Sequence, residues 1–434
     1  MIPTRRTFWL IFILFGLAIA VSFYTQYKPS WKLGAYALFG VLFADWLSIT
    51  GRRVIQVERT VMHALSLGTK SSVELTLHNR YRYPIRLAVF DHVPIELEHE
   101  GLPLDVRIPP RNWARLSYRI KPIKRGPAAF EKVQIRLSSV LGLWQKNIVQ
   151  ALHSEIRVYP NFSSVMKYTL LATDQRLNQM GILKKRRRGE GLDFHQLREY
   201  RDGDSLRQVD WKATARMHKL ISRDYQEERD QQIIFLVDCG RRMLAHDDQL
   251  SHFDHTLNAI LLLSHVALRQ GDAVGLMTFS GDDRWVAPRK SMASVNGILN
   301  SIYDLQPSLL SPDYTRAAIQ LMTRQKRRAL VVLITNLRDE DTDELLPALH
   351  IMRKRHLVLL ASMQESAINQ LLNKPVVGFE SALSHASAQH YLAYRRDAHQ
   401  KIEGNGVLYL DVVPQDLPIN IVNRYLDVKS SGQL

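Results

Sequence analysis

The chain opens on two unbroken apolar runs and then changes character. Phe8 to Tyr24 carries no charge, Leu33 to Ala44 is equally clean, and Trp46 to Thr50 extends the second run past Asp45. A helix that crosses a bilayer needs roughly 20 mostly apolar residues. Both runs meet that length if Lys32 extends its amine to the interface. The linker Gln26-Tyr27-Lys28-Pro29-Ser30 is too short for a domain. Residues 1–53 are therefore predicted to form a two-span transmembrane helical hairpin.

From 54 to 160 the period becomes two. Val73-Glu74-Leu75-Thr76-Leu77, Leu116-Ser117-Tyr118-Arg119-Ile120 and Val133-Gln134-Ile135-Arg136-Leu137 alternate apolar with polar, as half-buried strands do. Leu67-Gly68-Thr69, Pro109-Pro110 and Arg125-Gly126-Pro127 supply turns between them. Short alternating strands at this spacing predict a β-sandwich-like domain. Residues 161–188 read as a connector that closes on a basic run, and 189–232 as a segment of its own. From 233 to 434 the rhythm changes again. The continuous apolar runs Ile233–Val237, Ala273–Phe279, Ala329–Thr335, Leu357–Ala361 and Val407–Val412 alternate with helical patterns such as Tyr314–Arg324, Asp341–Lys354, Glu380–Lys401 and Leu417–Leu426. Such alternation predicts βαβ units around a Rossmann-like parallel sheet. Ligands meet such sheets at the carboxyl ends of the strands, here Asp238, Ser280 and Asn336.

Charge adds orientation. Arg5 and Arg6 precede the first run, and Arg52 and Arg53 follow the second. Basic residues in short loops favour the cytoplasmic side, so both termini and the body are expected in the cytosol, on an inner membrane. A secretory leader is the rival reading of the first run, since Ala18-Ile19-Ala20 resembles a cleavage site, but the run is long for one. The second span would in either case deliver residues after Arg53 to the cytosol. The lone cysteine, Cys239, fits a reducing compartment. Asp45 is read as an interfacial carboxylate in reach of water or Arg52. Over 434 residues the net charge is +16, with clusters at Lys184–Arg188, Lys326–Arg328 and Arg353–Arg355. Anionic headgroups attract such a body, so a phospholipid membrane is an expected partner. The chain shows neither zinc-finger spacing nor an aromatic-glycine recognition strand, and no nucleic-acid partner is expected.

Two constellations carry candidate chemistry. The first runs Gly189-x-Gly191, Leu197-Arg198-x-Tyr200, Gly203-Asp204, Arg207, and Asp210-Trp211-Lys212-Ala213-Thr214-Ala215-Arg216. Asp204 is placed to cap a helix beginning at Ser205. Arg207 and Asp210 are spaced to share a helix face. Arg198, Arg207 and Arg216 are suited to gripping carboxylates. The segment is either a buried ion network or a docking surface, and it holds no nucleophile–base pair. Cys239 likewise has no base beside it, and His252-x-x-His255 is a slender hint of metal.

With these residues in place, the chain resembles the bacterial membrane proteins grouped as domain of unknown function 58, whose signature it carries from Gly189 through Arg216. The resemblance spans nearly the whole chain. It implies an α/β half similar to a von Willebrand factor A domain, partnership with AAA+ ATPases of the MoxR type, and no defined enzymatic activity. It also frames the second constellation, Asp238-Cys239-Gly240-Arg241-Arg242. In von Willebrand A domains this loop reads aspartate-x-serine-x-serine and holds a magnesium ion with a threonine and a second aspartate. Here Gly240 and Arg242 replace both serines, Thr315 aligns with the threonine, and Asn336 replaces the aspartate. Hard cations want oxygen ligands, and Arg242 is a candidate to pair with Asp238 in the ion's place. The expectation is a degenerate metal site, with neither a metal nor another cofactor. The leading functional expectation is a membrane-anchored, non-enzymatic protein-binding adaptor. The alternatives are a lipid- or polyanion-binding scaffold acting through Lys184–Arg188, and a hydrolase in the α/β half.

Overall fold

The computed structural model describes residues 1–50, 55–160, 193–200, 209–226, 231–247, 250–291 and 293–433. It divides into two compact units, Met1–Tyr159 and Pro160–Leu434.

The first unit begins with a short strand, β1 (Ile2–Pro3), and two long helices, α1 (Arg5–Phe23) and α2 (Lys28–Thr50). Both helices are long and apolar enough, by length and composition, to cross a membrane. Their apolar side chains face outward: Phe12, Phe15, Leu33 and Phe39 are all exposed. The core helix of a soluble protein would bury them. Nine strands follow: β2 (Gln56–Thr60), β3 (Ala64–Ser66), β4 (Ser71–His78), β5 (Ile85–Asp91), β6 (Leu97–Glu100), β7 (Leu104–Ile108), β8 (Trp113–Pro122), β9 (Gly126–Ser138) and β10 (Trp144–Tyr159). One sheet runs β1-β10-β9-β5-β7 with β3 beside β10, and the other runs β2-β4-β8-β6. Alternation does what the sequence predicts: Val73, Leu75 and Leu77 of β4 and Ile85, Leu87 and Val89 of β5 are buried. Arg59 on β2 ties the sheets together. Its guanidinium grips Asp91 on β5 through Nε (2.9 Å) and Nη2 (2.6 Å), and Tyr118 on β8 donates to the same carboxylate at 2.6 Å.

The hairpin is riveted to this body at one turn. Asp45, on α2, accepts hydrogen bonds from Ser139 Oγ and from the backbone amides of Leu141 (2.9 Å) and Leu143 (3.2 Å), all in the β9–β10 turn. On α1, Thr7 Oγ1 donates to the Leu143 carbonyl, and Thr4 Oγ1 donates to the Gly142 carbonyl at 2.8 Å. Asp45 is therefore no solvated interfacial acid. It is 3 % exposed and fully engaged by the sandwich. The start of α1 and the end of α2 grip the same turn, so the two ends of the hairpin lie together.

The second unit begins with a ribbon, β11 (Asp193–Glu199) paired antiparallel with β12 (Ile221–Gln226), and the short helix α3 (Trp211–Met217). The main sheet holds β13 (Gln232–Asp238), β16 (Ala273–Phe279), β17 (Trp285–Arg289), β18 (Leu330–Thr335), β19 (Leu357–Met363) and β20 (Leu408–Val412). A two-residue pair, β14 (His246–Asp247) and β15 (Leu250–Ser251), lies between β13 and β16 in the chain. The sheet order is β17-β16-β13-β18-β19-β20. Every pairing is parallel except that of β17, an antiparallel edge. Both faces of the central strands are buried, which is why their sequences read as unbroken apolar runs. Ile234, Leu236, Leu333 and Leu360 pack on one side with α6 (Tyr314–Arg324) and α7 (Thr342–Arg353). Helices α4 (His252–Arg269) and α10 (Leu417–Ser430) pack against each other, and α4 packs on β13 and β16. A capping box starts α4: Ser251 Oγ accepts from the Asp254 amide, and the Asp254 carboxylate accepts from the Ser251 amide, both at 3.1 Å. The helices α5 (Ala293–Ile302), α8 (Ser366–Leu372) and α9 (Phe379–Gly404) complete the unit. Gly275 lets β17 lie close, since a Cβ there would sit 2.7 Å from the Val286 carbonyl oxygen.

Candidate functional site

Among its parallel strands the sheet has the order 2-1-3-4-5, so the chain leaves β13 to one side and later crosses to the other. The carboxyl ends of β13 and β18 flank the crevice where open α/β sheets receive ligands. Asp238 ends β13, and Thr335 ends β18. Asp238 is fully buried. Its Oδ1 accepts the Gly240 amide at 2.8 Å, and its Oδ2 accepts the Thr335 hydroxyl at 2.8 Å. Tyr314 lies 3.1 Å behind Thr335, which extends the chain of hydroxyls. Burial pushes the Asp238 carboxyl above its ordinary range, against the pull of Thr335, Gly240 and the nearby Arg242 charge.

The positions that align with a magnesium cage do not converge on Asp238. Gly240 has no room for a side chain: a Cβ would lie 2.8 Å from the Leu310 carbonyl oxygen and 3.0 Å from Asp238 Oδ1. Arg242 pairs with Glu340 and Asp341, not with Asp238. Thr315 is exposed in the first turn of α6; the hydroxyl on Asp238 belongs to Thr335. Asn336 is buried but turns away, its Nδ2 donating to Glu365 at 3.1 Å and meeting His252 Nδ1 at 3.3 Å. Asn336 Oδ1 and His252 Nε2 are buried polar atoms with no hydrogen-bond partner among the described residues. The described residues contain no group of three or more histidines, cysteines or carboxylates placed to hold an ion.

Beside this crevice lies a polar belt that sequence reasoning did not find. Glu365, after β19, accepts from Arg338 at 2.9 Å and from Tyr391 on α9 at 3.2 Å. Burial raises its carboxyl, but Asn336, its own backbone amide, Arg338 and Arg395 outweigh that and hold it below the ordinary range. Arg395, almost fully buried, forms a two-pronged pair with Asp411 (3.1 and 2.6 Å) and donates to Ser362 Oγ and to the Leu337 and Met363 carbonyls. These residues are far apart in sequence, and no local spacing announces them.

The rim of the crevice is apolar and open. Leu309 and Leu310 are 82 % and 61 % exposed. They are braced on the Asp238 loop by two backbone bonds, Arg241 N to Leu310 O (2.9 Å) and Ser308 N to Cys239 O (2.7 Å). Their signal was present: two leucines sit in the Pro307-Ser308 … Ser311-Pro312 loop, outside any periodic pattern. Cys239 itself is buried, which removes it from attack.

The signature segment is only partly in view. Gly203, Asp204 and Arg207, with the cap at Ser205 and the Arg207–Asp210 pairing, lie outside the described residues. Asp210 caps α3, accepting from the Lys212 and Ala213 amides at 3.0 Å each, and pairs with Arg223 of β12 at 2.9 Å. The cap bond from Ala213 and the Arg223 charge hold its carboxyl below the ordinary range. Tyr200 bonds the Leu220 carbonyl through its amide at 2.9 Å, which continues the ribbon, and Arg198 Nη1 donates to the Glu199 carbonyl at 3.2 Å. Arg216 is exposed, and so is Trp211, at 66 %. The described part thus combines the half-buried Asp210–Arg223 ion pair with the exposed Trp211 and Arg216.

Comparison with known proteins narrows the setting without naming an activity. The chain is similar to the uncharacterized protein YeaD of Bacillus subtilis (strain 168), 23 % identical over 378 residues, covering 84 % of this chain and 91 % of that one. Among solved structures, an aerotolerance-related membrane protein from Bacteroides fragilis NCTC 9343, carrying multiple mutations to serines, is 16 % identical with a TM-score of 0.29. That likeness covers 45 % of this chain and 98 % of that one. A Salmonella alpha-2-macroglobulin reacted with methylamine is 20 % identical with a TM-score of 0.20, covering 24 % of this chain and 7 % of that one. Neither structural likeness is close enough to carry an argument. The family described as "Protein of unknown function DUF58" matches residues 196–399, the stretch that contains α3, the Asp238 crevice and its leucine rim.

Proposed function

We propose that the protein is a membrane-anchored, cytosolic, non-enzymatic adaptor whose von Willebrand factor A-like half offers its carboxyl edge to a protein partner, a MoxR-type AAA+ ATPase. The observation that carries the reading is the exposed Leu309–Leu310 pair braced over the Asp238 loop. Large apolar side chains fixed at a sheet's ligand-receiving edge are suited to a protein surface. Flanking charge favours selectivity: Glu340, two-thirds exposed, is held by Arg242 at the same edge. Trp211 gives a second anchor, of the residue type that dominates binding energy at interfaces. Of the loop positions that align with a magnesium site by family resemblance, Gly240 is fixed by packing and Arg242 by ion pairs, and the proposed docking uses no bridging ion. The ATPase partner comes from the family resemblance, and the apolar hairpin supplies the anchor.

The test is capture from membranes solubilised in mild detergent, using tagged full-length protein with ATP and magnesium. Leu309→Asp/Leu310→Asp and Trp211→Ala are run beside the native chain. These side chains are exposed, so each variant should stay within about 0.5 kcal/mol of native stability. Retention of an AAA+ ATPase by the native chain, and its loss by at least tenfold in the leucine variant, is the expected result. Equal retention by the leucine variant moves the dock elsewhere, and absence of any ATPase removes the partner.

A further inference from the structure

Within the first unit, a groove of about 790 Å³ opens beside the first turn of α1. Arg5, Arg6, Arg86 and Arg107 line it, with Val140 and Leu141 of the β9–β10 turn. Two independent placements there are electrostatically unfavourable as they stand. Arg86 and Arg107 are direct cross-strand partners on β5 and β7, and like charges directly opposite destabilise a ladder. Arg5 and Arg6 open a 19-residue helix whose first turn carries no acid, although cations are disfavoured at that end of the helix dipole. Among the described residues, none of the four forms an ion pair. Arg136 on β9 adds a further cation to an adjoining cleft, where Asp105 is the only carboxylate. One anion in the groove would relieve both unfavourable placements.

Val140 and Leu141 identify the kind of anion. They are 67 % and 54 % exposed, at the tip of the turn whose backbone at Leu141 and Leu143 holds Asp45 and Thr7 of the two apolar helices. A free phosphate has no use for exposed valine and leucine. A lipid phosphate with acyl chains does. We propose that this groove is a headgroup site for an anionic glycerophospholipid: the arginines take the phosphate, and Val140 and Leu141 lie against the upper acyl chains. The proposal rests on the reading that α1 and α2 span a membrane, which puts Arg5 at headgroup depth.

The test uses full-length protein in a neutral detergent and follows thermal unfolding as lipid is titrated. Phosphatidylglycerol should raise the midpoint saturably, while phosphatidylcholine and inorganic phosphate should not. Arg86→Gln/Arg107→Gln, at two exposed strand positions, should raise the half-saturating phosphatidylglycerol concentration by about fivefold per arginine lost. Equal shifts with phosphatidylcholine, or an unchanged titration in the double variant, would overturn the site. Saturation by inorganic phosphate alone would overturn its assignment to lipid. Alkaline extraction of native membranes reads the anchor separately. Release of the protein would overturn the spanning reading and the headgroup placement with it, whereas retention with no lipid preference would overturn only the groove.

Discussion

Single residues decide what the Asp238 crevice is able to do. Asp238 was legible in the sequence because it ends an apolar run, but its partners were not. Thr335 reaches it from β18, and Tyr314 on α6 backs Thr335, a packing that no local pattern encodes. Thr315 is exposed, whereas the hydroxyl on Asp238 comes from Thr335 at the end of β18. Gly240 shows how a substitution read as a missing ligand is a packing requirement. Restoring the serine, Gly240→Ser, should not rebuild a magnesium site. The new Cβ meets the Leu310 carbonyl oxygen 2.8 Å away, and overpacking of this kind costs about 1–3 kcal/mol. Thermal unfolding with and without magnesium checks it. A variant as stable as the native chain, or one stabilised by the ion, would refute the steric argument.

Elements were legible in proportion to how strongly burial patterned them. The five parallel strands appear where unbroken apolar runs predicted them; four have both faces covered, and the edge strand β20 is half-buried throughout. The edge strand β17 escaped notice because Trp285-Val286-Ala287-Pro288-Arg289 alternates poorly and holds a proline, which only an edge tolerates. The ribbon β11–β12 escaped because its sequence is charged. Asp45 was misjudged for a related reason: a carboxylate in an apolar run looks solvated until the turn that meets it is known. Its role makes α2 and the sandwich one mechanical element. Asp45→Ala leaves the Ser139 hydroxyl and the Leu141 and Leu143 amides without their acceptor. Hydrogen bonds to a charged group contribute about 1.5–3 kcal/mol each, and they are not additive, so a net loss of about 3 kcal/mol is expected. Asp45→Asn, which keeps one acceptor oxygen, should lose less. Limited proteolysis at Val140–Leu141 reads the release of the turn, and an alanine variant that resists the protease like the native chain would sink the rivet.

At the scale of the molecule, the α/β unit holds several buried or half-buried histidines whose protonation is disfavoured, and this shapes its response to acid. Burial pushes His252, His265 and His356 below their ordinary range. Burial, helped by Arg395 and opposed by Asp411, takes His399 down to about 4. A histidine whose folded pKa is depressed is protonated first in the unfolded chain. Its contribution is complete above about 6.5 and is lost as pH falls toward the folded value. For His399 the window from about 6.5 to about 4 corresponds to about 3 kcal/mol. Asp238 works in the opposite sense: a carboxyl raised by burial favours the folded state most when protonated, and that contribution fades as pH rises through its folded pKa. The histidines outnumber it, so the net slope should favour neutral pH. The measurement is urea unfolding of the full-length protein in neutral detergent at about pH 7.5 and about pH 5, with hydrogen exchange of the Leu408–Val412 amides as the local readout. Stability should fall on acidification. His399→Gln, which keeps a polar partner for Tyr409, should flatten the slope by up to one proton, or about 1.4 kcal/mol per pH unit. If native and variant chains lose stability in parallel, His399 is not the sensor, and the acid response belongs to the other buried histidines.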